Sequence, residues 1–297
     1  MASWILIALA GYFLLAFTGV ADKFFVSKVV REPVAYAFYI AMSGPFSLLL
    51  IPFGAKVLNF QDFMIALAAG VCFIIGVWNS YAAIKRSTVS RVVPIQGGLV
   101  PSFSYLFAYF ILGERLSLGQ TWAFLFLVIG AVLISLRREH GVWTSSAFFY
   151  AAFSSAAFAL SAVLTKYIFD HSNFISGMVW TRMGFILVAL AILAFKSNRE
   201  VIFNAPKQAG VKNVILYYAS RSTGTVGGFL QNYAVSLGSV TIVNAMQSLQ
   251  FVFLLIMTSL LSVYFPKILK EKISVPIILL KLSAIAVIAT GLALLTL

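Results

Sequence analysis

The chain alternates long apolar runs with short polar or proline-bearing breaks. Ten runs stand out, at roughly 4–24, 34–53, 63–84, 92–112, 119–136, 145–168, 174–195, 211–236, 240–264 and 275–296. A bilayer-crossing helix needs about 20 mainly apolar residues, so the pattern predicts ten transmembrane helices. The breaks read KVVREP, FGAKVLNFQD, KRSTVSR, GERLSL, RREHGV, FDHSN, FKSNREVIFNAPKQAG, SLGS and FPKILKEKIS. The seventh is the longest, and none is long enough to hold a soluble domain. Open strands cannot cross lipid, where unpaired backbone groups are too costly, and a barrel would show short alternating segments. The predicted fold class is an all-α membrane protein.

Composition agrees. Of 297 residues, 62% are hydrophobic and 10% charged, against about 45–50% and about 25% in soluble domains. That excludes a soluble globule, and disorder as well. The net charge is +13, but the basic residues lie between apolar runs and not in one patch. They suit lipid headgroups and orientation in the membrane, not nucleic acid. Cys72 is the single cysteine, so no internal disulfide forms. His140 and His171 fall in breaks, and no Cys/His cluster has metal-ligand spacing. No metal or other cofactor is expected. The N-terminus lacks a charged stretch before its apolar run and reads as a retained helix, not a signal peptide.

The halves repeat one another. Tyr81-Ala82 followed by Ser87 matches Tyr233-Ala234 followed by Ser239. Leu112-Gly113-Glu114-Arg115-Leu116-Ser117 matches Leu269-Lys270-Glu271-Lys272-Ile273-Ser274. Lys23 matches Lys166, and Ile129-Gly130-Ala131-Val132-Leu133 matches Thr290-Gly291-Leu292-Ala293-Leu294. This order predicts two five-helix units, 1–140 and 141–297. Five is odd, so the second unit enters the membrane from the opposite side, an inverted repeat of the kind found in secondary transporters.

From Tyr81 to Leu136 the chain reads Tyr-Ala-Ala-Ile, then Ser87 and Ser90, Pro94 and Pro101, Leu-Gly-Glu-Arg-Leu, and a helix ending Val-Ile-Gly-Ala-Val-Leu-Ile. This stretch resembles the EamA-type transporters of the drug/metabolite transporter superfamily. The second half departs from it, with Met246 and Phe253 where prolines are expected. The resemblance implies a multi-pass transporter of the cytoplasmic (inner) membrane that moves small organic metabolites by alternating access, with export the expected direction. Membrane lipids and a small-molecule solute are the implied partners, with a homodimer left open.

Orientation is read two ways. In the even-numbered breaks the Lys and Arg are Lys56, Arg115 and Lys166, whereas those from Lys28 and Arg31 to Lys270 and Lys272 crowd the odd ones. The positive-inside rule then places the odd breaks in the cytoplasm and both termini outside. The family resemblance implies the reverse. Both readings put the termini on one side.

Arg182 and Arg221 lie inside apolar runs, where a charge costs at least about 2.5–3.5 kcal/mol and marks a bundle interior or wet cavity. All eight acids fall in breaks or at helix ends. An uncompensated guanidinium favours a carboxylate or phosphate, which it binds through two parallel hydrogen bonds. The expected solute is therefore anionic, such as an amino acid. Tyr217, Arg221, Gly224, Gly228 and Asn232 share a helical face, as do Asn244, Gln247 and Gln250. Gly224 and Gly228 form GxxxG, a packing motif. Trp78, Asn79 and Gln96 complete the candidate substrate site. Pro94 and Pro101 are candidate helix kinks. With only two histidines and no acidic cluster, no enzyme chemistry is expected. A broad-specificity exporter of lipophilic drugs and a passive channel remain alternative readings.

Overall fold

The computed structural model describes residues 3–29, 32–135, 145–209, 211–264 and 275–295, and within them all side chains but those of 21–29, 90, 205–218, 263 and 275–278. The described residues are helices and their connections, with no strand among them, and the predicted apolar runs fall mostly on helix where they are described. The elements are α1 (Ser3–Val29), α2 (Pro33–Ala41) continued by a 3-10 stretch (Gly44–Phe53), α3 (Phe60–Arg86), α4 (Val89–Ile111), α5 (Leu118–Ser135) and α6 (Ser145–His171). They continue as α7 (Phe174–Ala194), α8 (Lys196–Ala209), α9 (Val211–Leu237), α10 (Val240–Ala245), α11 (Gln247–Tyr264) and α12 (Val275–Leu294). Among the described residues, seven helices are long and apolar enough to cross a membrane. The helices α4, α9 and α12 fall outside that set; α12 is apolar over the shorter stretch Leu279–Leu294, and α4 and α9 carry glycines and amides along their length.

Side-chain caps start the helices where the chain turns back. Asn59 accepts the Asp62 N–H (2.8 Å) at the head of α3, and Asn173 accepts the Ser176 N–H (2.7 Å) at the head of α7, each satisfying an otherwise orphaned donor. Pro33 opens α2, where its missing N–H costs nothing. The amphipathic α8 occupies the longest predicted break. Its apolar Ile202 is buried, and Tyr39 donates to the Ile202 carbonyl (2.7 Å). Periodicity in a polar segment, docked on α2, makes it helical where run length alone predicts a loop.

Two ends can be distinguished. At one, Asn173 donates to the Gly54 carbonyl (3.1 Å), the Lys56 N–H donates to Ser176 (2.8 Å), Lys166 donates to the Ser236 carbonyl (3.2 Å), and Trp4 packs against Gly238. We call this the Ser239 end. At the other, Lys85 pairs with Glu32 (2.6 Å) and Arg86 stacks on Tyr150 (4.3 Å). Helices pair across the halves: α1 with α9, α6 with α3, α4 with α10, and α5 with α12. Backbones approach most closely where glycines cross. A Cβ at Gly70 would strike the Thr181 carbonyl, and one at Gly184 the Leu67 carbonyl, so α3 and α7 touch through those positions. On α9 the crossing with α1 uses Gly224 and Gly227, whereas a Cβ at Gly228 would meet nothing within 4 Å.

Pro94 and Pro101 lie inside one continuous helix, α4. Discontinuities fall at Met42–Ser43, between α2 and the 3-10 stretch, and in the second half at Met246, between α10 and α11. The Val243 carbonyl, which would take the Gln247 N–H in an unbroken helix, accepts the Tyr12 hydroxyl at 2.6 Å. A side chain from α1 thus stands at the break, with no proline involved.

Candidate functional site

A cavity of about 280 Å³ lies between α1, α3, α4, α6, α7, α9, α10 and α11. This is the small end of ligand pockets, which run about 300–1,000 Å³. Its polar wall is made of one cation, Arg182, six amides and the hydroxyls of Tyr12, Ser161 and Thr165. The amides are Gln96, Gln231, Asn232, Asn244, Gln247 and Gln250. No carboxylate is among the lining residues.

Several of these groups are held by their neighbours. Gln96 donates to Ser80 Oγ (2.9 Å) and Ser154 Oγ (2.8 Å), tying α4 to α3 and α6. Asn244 donates to Ser104 Oγ (2.8 Å). Asn232 donates to the Gly228 carbonyl (2.8 Å), and Gln231 to Tyr12 Oη (3.1 Å). Amides fixed in this way present a set pattern of donors and acceptors. The Arg182 guanidinium lies 4.6 Å from the Phe185 ring centre, and among the described residues no carboxylate pairs with it. A cation–π contact offsets part of the cost of a desolvated charge and leaves the guanidinium edge for an acceptor.

Of the sequence candidates, Arg182, Gln96, Asn232, Asn244 and Gln247 come together here, and Gln250 joins its stripe. Arg221 does not line this cavity. Its Nη2 donates to Tyr36 Oη (2.6 Å), and Tyr36 stacks on Tyr81 (3.5 Å between centres). Asn79 donates to the Ile75 carbonyl (2.8 Å), and Trp78 is 39% exposed, so neither lines it. The Tyr217 side chain lies outside the described residues. Sequence reasoning missed Tyr12, Ser161, Thr165 and Gln231. Gln231 stands beside Asn232, and two adjacent amides in an apolar run were the available signal.

Residues 2–136 match the model of the EamA-like transporter family. Those residues, a little under half of the chain, are similar to this family, which lies within the drug/metabolite transporter superfamily. The chain carries several membrane-spanning helices, and its residues 2–136 are similar to membrane transporters. No curated protein matches it by sequence. One solved crystal structure of a protein superposes with a TM-score of 0.70 at 17% identity, covering 99% of this chain and 96% of the other. The likeness shows a shared fold across the whole chain.

Proposed function

We propose that the chain is a secondary transporter that moves small organic anions across the cytoplasmic membrane by alternating access. Two five-helix units, 1–140 and 141–297, form the moving parts. The cross-half pairing supports this reading, because α1 against α9 mirrors α6 against α3 when one unit is exchanged for the other. Related halves with one shared cavity have two equivalent arrangements, each exposing the site to one side.

The observation that carries the substrate class is Arg182 in a cavity wall that holds amides and hydroxyls but no carboxylate. A guanidinium with a free edge binds carboxylate or phosphate bidentately. The surrounding amides bond hydroxyl or amino groups on the same solute. Hydroxy acids, amino acids and small sugar phosphates fit that pattern; a large lipophilic cation does not.

The test is thermal unfolding of the purified protein in detergent with carboxylates, phosphates, neutral sugars and organic cations. A ligand that binds only the folded state stabilises it by about 2.7 kcal/mol at 100 times Kd. Carboxylates or phosphates should raise the melting temperature, and Arg182→Gln should abolish the rise. A rise kept in Arg182→Gln and lost in Arg221→Gln would move the anion to the Arg221–Tyr36 pair. Rises with cations alone would make the chain a broad drug exporter.

A further inference from the structure

The α10 segment is six residues long, and each of them, Val240 to Ala245, is buried. Met246 behind it is fully buried too. The segment lies at the Ser239 end of the bundle, where it would act as a plug under alternating access. Three side chains of the first half hold it. Glu114 accepts from Ser239 Oγ, whose oxygen also caps α10 by accepting the Ile242 N–H (3.0 Å). Ser104 accepts from Asn244 (2.8 Å), and Tyr12 donates to the Val243 carbonyl (2.6 Å). Glu114 is aimed by its own turn. Gly113 has φ +68° and the Glu114 N–H reaches back to the Ala108 carbonyl (3.1 Å), a helix-ending closure that favours glycine. At the other end the sequence counterpart of Ser239 is Ser87, whose buried Oγ has no hydrogen-bond partner among the described residues.

One of the holding groups, Tyr12, also faces the solute space. Tyr12 and Gln231 both line the cavity, and Gln231 donates to the Tyr12 oxygen. A phenol has one proton to give, so Tyr12 can bond the Val243 carbonyl or a solute oxygen, not both.

We propose that Tyr12 is a positioning residue that couples the occupied cavity to release of the α10 plug, with Glu114 and Ser239 as the latch. The proposal rests on the alternating-access reading above. A solute carboxylate that accepts the Tyr12 O–H hydrogen bond frees the Val243 carbonyl. That carbonyl then accepts the Gln247 N–H, α10 and α11 join into one helix, and the repacking draws Ser239 away from Glu114. No covalent bond changes; one hydrogen bond is exchanged for another.

Tyr12→Phe removes the proton and should release the plug without any solute. The measurement is labelling by a membrane-impermeant maleimide in a Cys72→Ala background. Ala245→Cys, buried in the plug, should react at least ten-fold faster when Tyr12→Phe or Glu114→Gln is added. Ser87→Cys, at the opposite end, should keep its rate. The combined Tyr12→Phe and Glu114→Gln variant should react little faster than either alone, because both free one segment. An unchanged Ala245→Cys rate in a variant that still elutes as a single species overturns the proposal. So does equal acceleration of both reporters, which would mean general loosening. The anion-induced thermal shift, measured on the parent protein, separates the two readings. With that shift present, a protected Ala245→Cys removes the relay and leaves the transport reading standing.

Discussion

On the proposed anion reading, Arg182 is the residue that selects the solute. Arg182 lines the cavity with its guanidinium 4.6 Å from the Phe185 ring centre, and the proposal makes its planar geometry matter as well as its charge. Arg182→Lys keeps the charge but replaces the fork with a point donor. Isothermal titration with a bound carboxylate should give a Kd at least tenfold weaker, about 1.4 kcal/mol, and an unchanged Kd would mean that charge alone suffices. The amides of the site were readable from sequence because an amide in an apolar run stands out and costs energy unless paired. The hydroxyls were not. Thr165 donates to the Ser161 carbonyl (2.7 Å) one turn back, and a hydroxyl satisfied within its own helix fits anywhere along an apolar run. Arg221 shows the converse: its mid-run position marked it as exceptional, while Tyr36, the partner that holds it, is 185 residues away.

Helix crossings turn on which glycine faces a neighbour. Gly227 and Gly228 are adjacent, yet a Cβ at Gly227 would lie 2.9 Å from the Gly11 carbonyl and one at Gly228 would meet nothing within 4 Å. Gly227→Ala should therefore cost about 1–3 kcal/mol through overpacking. Gly228→Ala should be neutral or stabilising, by up to about 1 kcal/mol from helix propensity. Melting temperatures of the two variants check this, and equal losses would refute the crossing geometry. The GxxxG spacing of Gly224 and Gly228 suggested packing through both, but one residue of rotation decides, and spacing does not report it. The same limit applies to the helix break. Pro94 and Pro101 marked α4 as a place for a kink, because proline removes a backbone donor. The break at Met246 was not marked by a proline; there Tyr12 is bonded to the carbonyl of Val243, 231 residues away. Local sequence carries no trace of a carbonyl claimed from so far away.

For the molecule as a whole, run length and composition made the helical membrane class readable, and the Tyr81–Leu136 motif made the family readable. Absolute orientation was not, since the charge count and the family resemblance oppose each other. The charge count predicts that the α7–α8 junction, with Lys196 and Arg199, faces the cytoplasm. A Ser197→Cys variant in the Cys72→Ala background should then resist an impermeant maleimide added to intact cells and react after lysis. Reaction in intact cells would put both termini inside.

The pairing of helices across the halves has one more consequence. The first half's Tyr12, Ser104 and Glu114 hold α10, and α3 lies along α6. Each half therefore supplies part of the other's interior, and neither owns a complete core. Residues 1–140 and 141–297, made as two separate polypeptides in one cell, should find each other and purify together through a tag on either piece. Expressed alone, each piece should be cleared by proteolysis, its inner faces left bare.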